Sequence, residues 1–281
     1  MKVCILGSGV MGSGIVSLFS LSSDVTDVFW WGRELTSLEN SYLSVKKDIK
    51  RFAKKNEISG EDLNNLLSKI HFKTQLSDLA GCDVYIEAIV EDFKAKATLL
   101  NDLAVFIPEE AITATNTSSL SVTALAMRTN YPSNFIGVHF FNPTSIMKLV
   151  EVVKGLTTSD NMLERAIELV KGLGKTAIIV KESPGFVVNR MLIPMINEAV
   201  TILAEGVASK GDIDKAMKYG ANHPIGPLAL ADLIGNDVCL SIMESLHFET
   251  GDPKYRAHPL LRQYVRAGNL GRKTKVGFYE Y

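Results

Sequence analysis

The sequence has little cysteine, and the three thiols are not arranged as a disulfide framework. Cys4, Cys82 and Cys239 are far apart and stand in apolar surroundings. Their odd number and wide spacing predict buried free thiols in a reducing compartment. We therefore expect a cytoplasmic protein without disulfides.

An excess of charge, a long apolar run and a metal-ligand spacing are also missing. The chain has 30 Lys and Arg against 31 Asp and Glu, a net charge of -1, so neither nucleic acid nor an anionic membrane is an expected partner. No run of about 18 apolar residues suits a membrane helix, and the apolar start breaks at glycines before a signal peptide forms. The 5 His have no metal-binding spacing, and we expect no metal.

What the chain does contain is a glycine turn directly after its first apolar run. Val3 to Leu6 has no polar alternation, as in a strand buried on both faces, and leads into a G-x-G-x-x-G pattern of Gly7, Gly9 and Gly12. Gly7 permits a tight turn, Gly9 lets the backbone approach a pyrophosphate, and Gly12 lets the next helix pack closely. A purely structural turn is the alternative, but the position between a strand and an apolar helix favours dinucleotide binding.

Strand and helix patterns alternate up to residue 183 and then change. They predict an α/β fold for 1–183, a Rossmann-type doubly wound and mostly parallel sheet, interrupted by a helical hairpin at about 36–70 whose second helix reaches Ile70. After a Pro184-Gly185 turn the strand signals vanish, which predicts an all-α domain over 184–281.

One segment of the predicted helical domain is apolar on nearly every face. It runs from Phe186 to Leu203, is interrupted by Pro194, and is expected to be buried on all sides. A domain of roughly one hundred residues often needs a second subunit to bury such a helix, so we expect a homodimer formed through the same domain that binds substrate.

The second predicted strand ends without the acidic residue that would bind the adenosine ribose. It ends in Trp31-Gly32-Arg33, while Asp27 is expected to begin the strand, at the end away from the nucleotide. A small Gly32 beside Arg33 leaves room and charge for a 2′-phosphate, which favours NADP over NAD. NAD stays possible, since Arg33 is otherwise an ordinary solvated arginine.

The first helix of the hairpin has a basic polar face between Lys46 and Lys55. Such a face beside a cofactor site could bind a phosphorylated substrate tail. The alternative is a solvated face, the usual role of basic helix surfaces.

Polar residues that suit catalysis lie at strand ends or at the domain boundary. His139 and Glu151 are the best available pair for moving the proton of an alcohol as its hydride leaves. Ser118 follows another strand without a G-x-S-x-G elbow, so a hydrogen-bonding role fits better than a nucleophilic one. Asn142 and Asn189 complete the set.

These motifs resemble the 3-hydroxyacyl-CoA dehydrogenase family over essentially the whole chain. The resemblance lies in four runs: Gly7 to Gly14, Asn116-Thr117-Ser118-Ser119-Leu120, His139-Phe140-Phe141-Asn142-Pro143 and Pro184-Gly185-Phe186-Val187-Val188-Asn189-Arg190. It is strongest to the bacterial short-chain members. The implied reaction is reversible hydride transfer between NADP(H) or NAD(H) and acetoacetyl-CoA or (S)-3-hydroxybutyryl-CoA.

The resemblance also implies roles for single residues. His139 is the general acid/base, Glu151 orients it, and Ser118, Asn189 and Asn142 contact the substrate. Lys55 matches a position near the CoA phosphates, and four residues match positions near the cofactor: Glu91, Lys96, Asn116 and Lys273.

The sequence departs from the family at one position that bears on the cofactor. Two functions other than that of the family also stay open. Family members that use NAD carry an Asp at the end of the second strand, where this chain has Trp31-Gly32-Arg33. A dehydrogenase of a free hydroxy acid is one alternative, and a non-catalytic nucleotide-binding protein of the same fold is the other.

Overall fold

The computed structural model describes all 281 residues as two compact units, Met1–Ser183 and Pro184–Tyr281. The eight strands lie in the first unit: β1 (Lys2–Leu6), β2 (Asp27–Trp31), β3 (Ile70–Lys73), β4 (Val84–Glu87), β5 (Ile112–Thr115), β6 (Phe135–Phe140), β7 (Leu149–Lys154) and β8 (Thr176–Lys181). The same unit contains the helices α1 (Val10–Ser20), α2 (Leu35–Lys55), α3 (Gly60–Ser68), α4 (Phe93–Leu103), α5 (Val122–Ala126) and α6 (Asp160–Gly172).

The strands form one sheet in the order β3-β2-β1-β4-β5-β6-β7-β8. Every neighbouring pair is parallel except β6 and β7. Chain order therefore reverses between β1 and β4, the position at which doubly wound sheets bind ligands. The predicted fold class is confirmed. Val3 to Leu6 are completely buried in β1, as an unbroken apolar run between two helical layers requires.

The hairpin is shorter at its end than the sequence predicted. Ser59 begins α3 by accepting a hydrogen bond from the Asp62 amide, but α3 ends at Ser68. Ile70 lies in β3, where it pairs with Val28, so its assignment to the helix was wrong. The reason is tertiary: the outer edge of β2 offers backbone hydrogen bonds to the next segment, and these outweigh a weak helical pattern.

The second unit is helical, with α7 (Val188–Ala204), α8 (Lys210–Gly220), α9 (Pro227–Ile234), α10 (Asn236–Thr250) and α11 (Pro259–Arg266). Within the chain α7 buries one face, on which Ile193, Ile196 and Val200 recur at helical spacing. Met191 is 72% exposed, so the expectation that this segment is buried on all sides is wrong for the single chain. No helix is both long and apolar enough to cross a bilayer.

Candidate active site

The glycine turn connects β1 to α1, and each glycine has its own steric reason. A Cβ at Gly7, whose φ is +124°, would lie 2.5 Å from the Ala88 carbonyl oxygen, and one at Gly12 would lie 2.0 Å from the Gly7 carbonyl oxygen. At Gly9, the residue before α1, no other atom comes within 4 Å of such a Cβ. Two glycines thus close the turn, and the third leaves open space where a pyrophosphate can approach the helix amides. The turn fits a dinucleotide.

A hydrogen bond from β2, which the sequence did not predict, holds this turn in place. The buried Trp30 of β2 donates its indole Nε1–H to the Gly7 carbonyl, at 2.8 Å. The sequence marks Trp30 only as an apolar strand residue, and the indole donor is the signal that could have suggested a polar partner.

Gly32 and Arg33 come directly after Trp31, the last residue of β2. Gly32 is buried against Leu38, whose side-chain carbons would lie 3.0 Å from an added Cβ, and Arg33 is exposed. Asp27 begins β2, where the hydrogen bond from His71 holds the pKa of its carboxyl below the usual value. Its carboxylate therefore belongs to the other end of the strand, away from the glycine turn.

His139 and Glu151 face each other across the only antiparallel step of the sheet. They are register partners on β6 and β7, with Nδ1 of His139 2.7 Å from Oε2 of Glu151. Glu151 is completely buried and His139 nearly so, and the Phe141 ring lies 4.4 Å from the imidazole. A buried carboxylate on one ring nitrogen orients the imidazole, and such a histidine can exchange a proton through its other nitrogen.

The Asn116–Ser119 turn follows β5 at the same edge of the sheet as the carboxyl end of β6. Asn116 accepts a hydrogen bond from the Phe140 amide at 2.9 Å, which ties this turn to the strand of His139. Glu91 accepts from the Ser118 amide at 2.7 Å and from its hydroxyl at 3.2 Å. Burial by itself raises the pKa of Glu91, but the Lys96 ammonium and the hydrogen bonds from Thr117 and Ser118 together hold it below the usual value.

The other predicted residues are distributed over both units. Asn142 is exposed in the segment after β6, and Lys55 is the exposed last residue of α2. Asn189 is the second residue of α7, and Lys273 forms an ion pair with Asp237 at 2.6 Å, both in the second unit. Within the first unit, the structure thus pairs His139 with Glu151.

Lys96 and Glu87 form a buried ion pair that the sequence did not predict. Lys96 is 1% exposed, and its ammonium lies 2.6 Å from Glu87, a completely buried residue that ends β4. No motif in the sequence marks Glu87 as a site residue. A single carboxylate in an otherwise apolar strand was the available signal, because such a group is seldom buried without a partner.

Comparison with known proteins agrees with this geometry. Residues 2–183 match the family model described as the 3-hydroxyacyl-CoA dehydrogenase NAD binding domain, and residues 185–281 match the model of that family's C-terminal domain. The chain belongs to the 3-hydroxyacyl-CoA dehydrogenase family. Its first domain is therefore an NAD-binding domain, and the oxidoreductase class follows from the family.

Individual relatives cover the full chain. The 3-hydroxybutyryl-CoA dehydrogenase of Clostridioides difficile is 50% identical over 281 residues, 100% of this chain and 99% of the relative. The mitochondrial hydroxyacyl-coenzyme A dehydrogenase of Sus scrofa is 38% identical and is covered over 90% of its length. The crystal structure of (S)-3-hydroxybutyryl-CoA dehydrogenase from Ralstonia eutropha superposes with a TM-score of 0.93 at 45% identity, covering 100% of this chain and 98% of that one.

Proposed function

We propose that the protein is a 3-hydroxybutyryl-CoA dehydrogenase that interconverts acetoacetyl-CoA and (S)-3-hydroxybutyryl-CoA. The observation that carries the proposal is the buried His139–Glu151 pair, at 2.7 Å, on the sheet whose first turn fits a dinucleotide. The full-length similarity to enzymes named for this substrate supports the same conclusion. No feature favours a free hydroxy acid or a non-catalytic role.

In the proposed reaction a bound nicotinamide cofactor supplies the hydride in reduction and accepts it in oxidation. His139 donates the proton to the C3 oxygen in reduction and removes it in oxidation. Glu151 holds the imidazole through Nδ1 and stabilises its positive charge when it is protonated. Ser118, Asn142 and Asn189 supply hydrogen bonds to the reacting oxygen and to the thioester region.

Cofactor binding is proposed to begin at the glycine turn. Gly7, Gly9 and Gly12 accommodate the pyrophosphate, and Gly32 with Arg33 accommodates a 2′-phosphate, which favours NADP(H) over NAD(H). Four further residues are proposed to lie near the cofactor: Glu91, Lys96, Asn116 and Lys273. Lys55, at the end of the basic face of α2, contacts the CoA phosphates.

Two further properties are proposed with the activity. The 98-residue second unit serves substrate binding and dimerisation, and the exposed Met191 of α7 suits a contact with a second copy of the chain. The three buried free thiols suit the cytoplasm. Sedimentation equilibrium tests the dimer directly, with Met191→Glu expected to favour monomers and a wild-type monomer as the contrary result.

Turnover tests the main proposal. Purified protein with acetoacetyl-CoA and either NADPH or NADH should oxidise the cofactor, seen as loss of nicotinamide absorbance, whereas free acetoacetate should give no more than a trace of this rate. Faster oxidation with the free acid would favour a hydroxy acid dehydrogenase. Tight cofactor binding without oxidation would favour the non-catalytic alternative.

A further inference from the structure

Three ionisable side chains form a continuous row behind the Ser118 turn, buried at Glu87 and Lys96 and partly exposed at Glu91. Lys96, on the first turn of α4, lies 2.6 Å from Oε1 of Glu87 on one side and 3.3 Å from Oε2 of Glu91 on the other. Glu87 is completely buried, Lys96 is 1% exposed, and the Glu91 side chain is 35% exposed. The row therefore begins in the protein interior and ends at the site.

Both oxygens of the Glu87 carboxylate, at the inner end of the row, accept hydrogen bonds. Oε1 of Glu87 also accepts from the Ile89 amide at 2.7 Å, and Oε2 accepts from the Thr115 hydroxyl at 2.6 Å. Thr115 is the register partner of Glu87 on β5 and directly precedes the Asn116–Ser119 turn. A buried ammonium needs neighbouring negative charge, so Glu87 supplies the partner that keeps Lys96 in this position.

The outer end of the row is hydrogen-bonded to the turn itself. Oε1 of Glu91 accepts from the Thr117 hydroxyl at 2.6 Å, from the Ser118 amide at 2.7 Å and from the Ser119 amide at 3.1 Å. Both serine hydroxyls lie within 3.3 Å of the same oxygen. One carboxylate oxygen thus organises three consecutive residues, and this works only while it is ionised, because a protonated carboxyl is a weaker acceptor.

We propose that Glu87 and Lys96 are positioning residues: they fix the Glu91 carboxylate, and Glu91 fixes the turn that carries Ser118. The proposal rests on the proposed function only in that Ser118 contacts the substrate. Lys96 is enclosed by the two carboxylates and the Ile89 carbonyl, at 3.5 Å, so it acts through Glu91.

The electrostatic consequence has a definite sign for each member of the row. The groups that face Glu91 are Lys96 from α4 and the hydroxyls and amides of the turn, with Glu87 behind Lys96; the neighbouring Asp92 is engaged in capping α4 through the Ala95 amide. Removing the ammonium raises the pKa of Glu91, because burial is then opposed by the hydrogen bonds alone. Removing the Glu87 charge lowers it, because the full field of Lys96 then acts on Glu91.

Three variants test the proposal: Lys96→Met, Glu87→Gln and the double variant. We expect Lys96→Met to move the acid limb of the kcat profile for acetoacetyl-CoA reduction up by about one pH unit. Glu87→Gln should move the limb in the opposite direction. The double variant should fall between Lys96→Met and the wild type, because loss of the more distant Glu87 charge offsets only part of the loss of the Lys96 charge, 3.3 Å from Glu91.

A matched control separates positioning from general destabilisation. Asp214 is a buried carboxylate of the second unit that accepts from the Leu228 and Ala229 amides, so Asp214→Asn removes a comparable charge elsewhere. It should lower the melting temperature and leave the acid limb in place. If Lys96→Met fails to fold, the pH shifts of the isosteric Glu87→Gln and of the double variant, each measured against the wild type, still test the proposal.

Carbon-13 NMR titration of the glutamate carboxyls, assigned with Glu91→Gln, provides a readout that needs no turnover. The Glu91 midpoint should rise in Lys96→Met, fall in Glu87→Gln and recover only in part in the double variant. Unchanged midpoints, or a double variant as displaced as Lys96→Met, would overturn the proposal. Shifted midpoints in a protein that does not reduce acetoacetyl-CoA would instead refute the proposed function and leave the charge row standing.

Discussion

The proposed preference for NADP(H) over NAD(H) rests on the exposed Arg33, and replacing this residue is the most informative single change. Arg33 is exposed and lies two residues after the end of β2, next to the buried Gly32. In Arg33→Ala the 2′-phosphate of NADPH would lose its cationic partner, while NADH, which has a hydroxyl there, would lose little. We therefore expect a selective loss of kcat/KM for NADPH.

The exposure of Arg33 sets the size of this effect. A hydrogen bond to a charged group contributes about 1.5–3 kcal/mol, and solvent screening at an exposed position places Arg33 near the lower value. Two negative charges about 4 Å from one positive charge in a water-like dielectric give roughly 2 kcal/mol, which agrees. A loss of about 1.5–2 kcal/mol corresponds to roughly 10- to 30-fold in kcat/KM for NADPH.

Paired steady-state kinetics with acetoacetyl-CoA measure this directly. The wild type should prefer NADPH, and Arg33→Ala should reduce the preference by roughly tenfold or more. Lys171→Ala, an exposed cation at the end of α6, is the control and should leave the ratio unchanged. A wild type that prefers NADH, or an Arg33→Ala that weakens both cofactors equally, would refute the reasoning.

Three other substitutions address the remaining parts of the site. His139→Ala should retain cofactor binding, measured by fluorescence titration, and lose turnover by about 10²–10⁴, the usual contribution of an acid/base group; an active variant would contradict its role. Gly12→Ala places a methyl 2.0 Å from the Gly7 carbonyl oxygen, so the turn must open. We expect weaker cofactor binding and about 1–3 kcal/mol lower stability in urea unfolding, and native values for both would argue against the steric explanation. Lys55→Ala should raise KM for acetoacetyl-CoA several-fold at low salt, with the difference reduced at high salt, and leave KM unchanged for a pantetheine thioester that lacks the CoA phosphates; equal effects on both substrates would exclude a phosphate contact.

Local patterns in the sequence were sufficient wherever backbone geometry or continuous burial decides the outcome. The unbroken apolar run of β1 requires two covered faces, and the spacing of Gly7, Gly9 and Gly12 requires a turn in which two side chains would collide with backbone. These constraints act within a few residues, so the sheet, the nucleotide turn and the helical character of the second unit were predictable from the residues alone.

Tertiary structure decided whatever depends on a distant partner. Ile70 became a strand residue because β2 has a free edge beside it, and Met191 is exposed because α7 packs only one face within its own chain. The same applies to the charges. The sequence suggested His139 with Glu151 as the best pair, but only the antiparallel register of β6 and β7 brings them to 2.7 Å.

The row of charged side chains behind Ser118 was the feature that the sequence could predict least. Glu87, Lys96 and Glu91 come from a strand, a helix and a connection, and their spacing along the chain is not a recognisable motif. A carboxylate in an apolar strand indicates by itself only that a partner must exist, because an unpaired buried charge is too costly. The sequence determined the composition and the local turns of this protein, whereas the packing of β4 against α4 decided which charges meet, since Coulomb interaction depends on distance in space and not on separation along the chain.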